Sequence, residues 1–169
     1  QSINPYFRRT VLWLFLIIGT LSACQQGSLN VLPEEANQGV VGKIAWVRDM
    51  AYTYQDGGEK ARTYKWDAVF RGQWVETERR SAIAISFADG TQIFLGESAK
   101  LLIDDYVYNP QTTQGTADYK FLVGSMRFIS GNMIPSRVGI ETPTAKIGFT
   151  GSDALIFVTP AGETIVNVF

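Results

Sequence analysis

The sequence predicts an all-β domain, built as a short-stranded β-sandwich, a roll or a short β-solenoid, and preceded by one N-terminal apolar helix. Three observations carry this reading. Residues 81–87 and 100–108 alternate with a period of two, as strands with one packed face do. Asp89-Gly90 follows the first of these runs, a two-residue hairpin signal because both residues tolerate positive φ. After residue 24 no amphipathic helical period appears, so the crossover helices that a parallel α/β sheet needs are missing.

The chain starts with Arg8 and Arg9, an apolar run over 11–20, and Leu21-Ser22-Ala23-Cys24, which holds the only cysteine. A basic flank, a short apolar core and small residues make an export signal. The last four residues resemble the bacterial lipobox, which implies that Cys24 is freed at its amino group and acylated. The rival reading is a retained anchor. Residues 11–23 extend about 20 Å as a helix against a hydrocarbon core of about 30 Å, and Tyr6 and Phe7 would add a turn and an interfacial ring. Either way residues 1–24 form a signal or membrane-anchor segment. The remainder is then expected to be membrane-tethered and to face the periplasm or another extracytoplasmic space.

Residues 25–39 carry Gly27, Ser28, Pro33, Glu34 and Glu35 without an apolar period and read as a linker. From Val40 to Phe169 the period becomes two. In the hairpin, 92–95 returns along 81–87 with Ile85 facing Phe94. In 100–108, Leu101, Ile103 and Val107 share one face, and Leu102, Tyr106 and Tyr108 the other. Asn109-Pro110 stops that strand, and 111–115 reads as a loop. Residues 120–123, 125–129, 138–141, 145–149, 154–159 and 164–169 are further short strands, most of them separated by glycine or proline.

With 169 residues, 46% apolar and 18% charged, the chain can bury one ordinary core. A net charge of -1 offers no field for nucleic acid, and Glu78-Arg79-Arg80 reads as a solvated turn. One cysteine excludes an intramolecular disulfide. The absence of histidine removes the commonest zinc ligand and the commonest general base.

Five ordered blocks carry a family resemblance: Val75-Glu76-Thr77, the run from Ile85 through Asp89-Gly90-Thr91 to Gly96, Leu101 through Asp104-Asp105 to Pro110, Gly124-Ser125-Met126-Arg127-Phe128-Ile129-Ser130-Gly131, and Ile140-Glu141-Thr142-Pro143-Thr144-Ala145-Lys146-Ile147-Gly148. Over roughly 42–169 the chain resembles the FecR domain. The resemblance implies an all-β, exported, non-enzymatic domain, some members of which relay an occupied outer-membrane receptor to an anti-sigma segment. Two departures stand out. Gly148-Phe149-Thr150-Gly151-Ser152 lacks the arginine that the family pattern places before a glycine and threonine, so no role tied to it carries over. The sequence also ends amid a strand that the pattern continues, and too few residues precede the apolar segment for a cytoplasmic effector. A fragment or a shortened member is therefore expected.

No catalytic constellation emerges. Asp104 and Asp105 are adjacent on a strand and point to opposite faces, so they cannot share a proton or flank one bond. Asp56-Gly57-Gly58-Glu59 supplies two carboxylates, fewer than a calcium loop needs, and reads as a turn. Ser125 and Ser152 follow glycines but lack a nucleophile elbow and a histidine base, and Ser98 and Lys100 have no spacing that specifies a dyad. Without a phosphate-cradling loop, no cofactor is expected, and no metal site.

The remaining constellation is aromatic: Trp46, Tyr52, Tyr54, Tyr64, Trp66, Phe70 and Trp74. In strands, Tyr52 would share a face with Tyr54, and Tyr64 with Trp66. Core packing, a protein interface and a glycan platform are the three readings of such a cluster; the interface residues are Trp46, Tyr52, Tyr54, Tyr64, Trp66 and Trp74. Three function classes follow: first, a membrane-tethered accessory or scaffold subunit whose β domain docks on a membrane protein complex; second, a FecR-like transmembrane signal transducer; third, a ligand- or glycan-binding lipoprotein acylated at Cys24.

Overall fold

The computed structural model describes residues 39–134, 137–151 and 153–169, and is all-β there. The chain divides into two units, Gln1–Ala36 and Asn37–Phe169; the apolar segment expected to form an N-terminal helix, and Cys24, lie outside the described residues. Thirteen strands form in order: β1 (Val40–Arg48), β2 (Ala51–Gln55), β3 (Ala61–Arg62), β4 (Ala68–Phe70), β5 (Gln73–Thr77), β6 (Ala82–Phe87), β7 (Gln92–Leu95), β8 (Lys100–Asn109), β9 (Gln114–Ile129), β10 (Arg137–Glu141), β11 (Lys146–Phe149), β12 (Asp153–Val158) and β13 (Thr164–Val168). They make one curled, open sheet. Alternation alone had left the choice among sandwich, roll and solenoid open.

Strand β9 organises the sheet. Its first half pairs with β8 on one side and, in parallel, with β10 on the other; its second half pairs with β7 and β12. Two leaves therefore share it. The first runs β3-β2-β5-β8-β9-β10-β11, and the second β4-β1-β6-β7-β9-β12-β13. The runs 120–123 and 125–129, read from the sequence as two strands, are thus parts of one. The glycine that suggested a break is Gly124, which continues the ladder at φ +104°. Around it the inward set shifts from Ala117, Tyr119 and Phe121 to Met126 and Phe128, an odd-to-even change of phase. A bulge opposite Lys100 and Leu101 accommodates that change.

The leaves close on one apolar core. Ile83, Ile85 and Phe87 of β6, Ile93 and Leu95 of β7, and Ala154, Ile156 and Val158 of β12 face Val75, Leu101, Ile103, Tyr119 and Ile140 of the first leaf. Aromatic rings bridge the two: Phe87 lies 5.4 Å from both Tyr106 and Tyr119, and Phe128 lies 4.7 Å from Phe149. Separations and tilts of this kind suit the ring quadrupoles.

Two registers differ from the sequence reading. Ile85 faces Ile93, and Phe94 faces Ala84. The turn contains three residues, 88–90, because only Gly90 takes positive φ; Asp89 stays in the ordinary region and its side chain turns inward. Phe87 N donates to Thr91 O at 2.9 Å across this longer loop, which moves the pairing by one residue. In β8, Tyr106 rather than Val107 enters the core. A bulge between Ile103 and Asp105 inserts Asp104 as the extra residue and reverses the alternation beyond it.

The buried Asp89 explains why the turn is built this way. Its Oδ1 accepts from Thr91 N (3.0 Å) and Tyr106 Oη (2.9 Å), and its Oδ2 from Thr91 Oγ1 (2.7 Å). Thr91 Oγ1 in turn accepts from Gly131 N at 3.0 Å. Asp89-Gly90-Thr91 thereby fastens the hairpin to β8 and to the segment after β9. Burial also raises the Tyr106 phenol far above its ordinary pKa, keeping it a donor.

Among the described residues Tyr119 lacks such a partner. Its hydroxyl is buried without a hydrogen bond, and burial drives its pKa well upward. Tyr119→Phe removes that oxygen while retaining the ring. The expected result is a gain of about 1 kcal/mol, read as a higher urea midpoint at unchanged slope; a loss of similar size would mean that the hydroxyl has a partner.

Candidate functional site

The outer faces of the two leaves differ in chemistry. On the first leaf, Tyr54 of β2 pairs with Trp74 of β5, Trp74 with Leu102 of β8, and Leu102 with Lys120 of β9. Tyr52 pairs with Glu76 in the neighbouring row. Glu76 accepts from Tyr54 Oη at 2.7 Å and from Lys60 Nζ at 2.6 Å. Lys100 Nζ stands 4.7 Å from the Trp74 ring and 5.8 Å from the Tyr54 ring, and Trp74 Nε1 donates to Asp56 Oδ1 at 3.2 Å. Desolvation and the Glu76 hydrogen bond push the Tyr54 phenol up to about 12. Burial alone would raise the Glu76 carboxyl, yet the hydrogen bonds from Lys60 and Tyr54 outweigh it and hold it below its ordinary value. This face is an internally satisfied network. Lysines sit against the rings that a sugar would need bare for stacking.

Asp104 and Asp105 do not point to opposite faces as strict alternation predicts: with Asp104 the extra residue of the bulge, both lie on the outer face of this leaf, and each has a separate partner. Asp104 pairs with Lys120 at 2.8 Å, and Asp105 with Arg71 at 3.4 Å. Among the described residues no group of three metal-ligating side chains is assembled, and no helix is long and apolar enough to cross a membrane.

The second leaf presents apolar chemistry. One register line crosses its outer face through Trp46 (β1), Ala84 (β6), Phe94 (β7), Arg127 (β9), Leu155 (β12) and Asn167 (β13). The next pairs Phe157 with Ile165. Trp46, Phe94, Leu155, Phe157 and Ile165 are all exposed. Adjacent strands lie about 4.8 Å apart, so Trp46 and Leu155 stand about 19 Å apart along that line. Strand β6 offers only Ala82, Ala84 and Ser86 outward, which leaves a trough between Trp46 and Phe94. Among the described residues the ion pair on this stretch is Arg127 with Asp153, made through two hydrogen bonds, and it lowers the Asp153 carboxyl pKa.

The six aromatic residues singled out in the sequence thus fall in three places. Trp46 joins the apolar face; Tyr52, Tyr54 and Trp74 join the charged network; Tyr64 and Trp66 sit on the β3–β4 loop, not in a strand. None of the six is buried, so they are not core residues. Phe94, Leu155, Phe157 and Ile165 were missed as surface residues. The available signal was continuity: Ile93-Phe94-Leu95 and 154–158 are apolar in both phases, the pattern of a strand covered on both faces.

The described residues define a curled all-β domain whose exposed features are extended faces rather than a deep cleft. A family model described as FecR protein matches residues 73–169, and the chain belongs to that family. The match begins at β5; β1 to β4 precede it and complete the same sheet. No curated protein and no solved structure matches the chain.

Proposed function

We propose that this chain is a non-catalytic, membrane-tethered regulatory domain that works outside the cytoplasm and binds a protein partner on the outer face of its second leaf. The observation that carries the reading is the exposed apolar face of this leaf, with Trp46, Phe94 and Leu155 on one register line, interrupted by Arg127, and Phe157 on the next. Strand β12 is apolar on both faces, yet only one of them meets the core. Contiguous apolar surface rimmed by polar groups marks interaction sites in soluble domains, with aromatic anchors contributing most. Family membership favours a signal transducer or regulator over a permanent scaffold subunit, because FecR domains occur in transmembrane signalling proteins.

Site-directed photo-cross-linking in the native host tests this. A photoreactive residue at Phe94 is expected to give a discrete adduct with another protein, whereas one at Asn109, the exposed last residue of β8, gives none. Combining Leu155→Asp with Phe157→Asp should lower the Phe94 adduct by about tenfold or more, the effect of losing an interface anchor. Equal labelling from Phe94 and Asn109, or none from Phe94, would refute the reading.

A further inference from the structure

We propose that the β3–β4 loop, residues 63–67, together with Lys43 and Arg62 beside it, docks on a bilayer surface carrying anionic lipid headgroups. This inference rests on the membrane-tethered reading, which keeps the domain close to such a surface.

The first observation is strain without burial. Trp66 has φ +80°, a conformation that bulky side chains rarely adopt, and is 64% exposed. Such a backbone persists only where its surroundings over-determine it. Here Trp66 N donates to Ile44 O (2.8 Å), Ile44 N to Asp67 O (2.9 Å) and Thr63 N to Ala51 O (2.9 Å). The Asp67 carboxylate closes the turn by accepting from Tyr64 N (2.7 Å) and Thr63 Oγ1 (3.2 Å). The loop is fixed against β1, and it holds two large rings, Trp66 and the 56% exposed Tyr64, in solvent.

The second observation is charge. Lys43 and Lys65 place their ammonium groups 4.9 and 4.7 Å from the Trp66 ring, and the Arg62 guanidinium lies 5.3 Å from the Tyr64 ring. Lys60, Lys100, Lys120, Arg127 and Lys146 each have a carboxylate partner. Lys43, Arg62 and Lys65 have no ion pair among the described residues, as is also true of Arg48, Arg79, Arg80 and Arg137; what sets the three apart is their place against two exposed rings, and the loop's own acid, Asp67, is occupied in the turn.

Amphipathic rings settle at headgroup level, where one edge is dry and the other wet, and neighbouring cations add attraction to anionic lipid. A rigid projection that combines both, and has no aliphatic wedge, matches that boundary. A sugar would need ring faces that the cations cover. An acidic protein would answer the charge, but a projecting indole would then require a matching pocket.

The test uses the full chain with vesicles of phosphatidylcholine, alone or mixed with phosphatidylglycerol, whose acyl chains are brominated near the headgroup. Trp66 emission is taken as the difference between wild type and Trp66→Phe. Flotation with neutral vesicles reports the tether alone. The proposal predicts that Trp66 is quenched in anionic vesicles, and that quenching is lost near 1 M salt, where the Debye length falls to about 3 Å. It also predicts that K43Q, R62Q and K65Q, all at exposed positions, each weaken docking about fivefold while flotation is unchanged. Chain that fails to float yet shows Trp66 quenching in anionic vesicles would remove the tether reading and support the docking. An unquenched Trp66 in floating protein overturns the proposal. Equal quenching in neutral and anionic vesicles overturns it as well.

Discussion

Ile85→Asp is expected to leave the domain unfolded under native conditions. Ile85 is 1% exposed, points inward from β6, and pairs with Ile44 of β1 and Ile93 of β7. The substitution removes a buried side chain that stabilises by about 1.5–3 kcal/mol. It also places a carboxylate where the neighbouring core residues are apolar, at a further cost of several kcal/mol. The sum approaches the whole stability of a typical domain, about 5–15 kcal/mol. The expected readout is loss of the thermal unfolding transition and of near-ultraviolet circular dichroism. Ile85→Val, which only shortens the side chain, should keep the transition and lose about 0.5–1.5 kcal/mol. A cooperative melt from Ile85→Asp within a few degrees of wild type would remove Ile85 from the core.

Gly124→Ala is expected to destabilise the domain heavily for a change of a single methyl group. A Cβ at this position would lie 2.6 Å from both Cα and Cβ of Ala99, which is itself fully buried. The backbone at φ +104° adds strain of about 1–3 kcal/mol for any residue other than glycine. With the clash included, a loss above about 3 kcal/mol is expected, read as a shift of the urea midpoint. Gly148→Ala provides the control, because nothing lies within 4 Å of a Cβ there. Its midpoint should move by no more than about 0.5 kcal/mol. Similar losses from the two substitutions would show that Gly124 is neither held at positive φ nor packed against Ala99.

What the sequence reveals and what it withholds divide along physical lines. Alternation marks the half-buried strands, and β6, with Ile83, Ile85 and Phe87 inward and small residues outward, is legible directly. Bulges are not. An extra residue such as Asp104 leaves no mark in composition, and it moves Tyr106 in and Val107 out. The turn at Asp89 is misread because Asp-Gly permits two positive-φ residues without requiring them; the inward hydrogen bonds of Asp89 decide the loop length. The parallel pairing of β9 with β10 is long-range and carries no local signature. At the surface, aromatic residues are easy to find and hard to place. Trp46, Tyr54 and Trp66 look alike in sequence, yet the fold sends them to an apolar sheet face, a lysine-lined network and a strained loop.

The sharing of β9 between the leaves governs how the domain can fail. Its ladder hydrogen bonds to β8, β10, β7 and β12 run along one continuous backbone, and Gly124 joins the two sets without a loop to act as a hinge. Releasing either leaf strips a neighbour from the strand that holds the other, so neither leaf is a separable unit of cooperative opening. Fluctuation short of global unfolding is left to the margins, at β3, β4, β11 and β13, each of which has one ladder partner. A partner seated across β1, β7 and β12 would therefore bear on elements tied directly or through β6 to the least yielding strand, and a displacement imposed there would be carried into both leaves together.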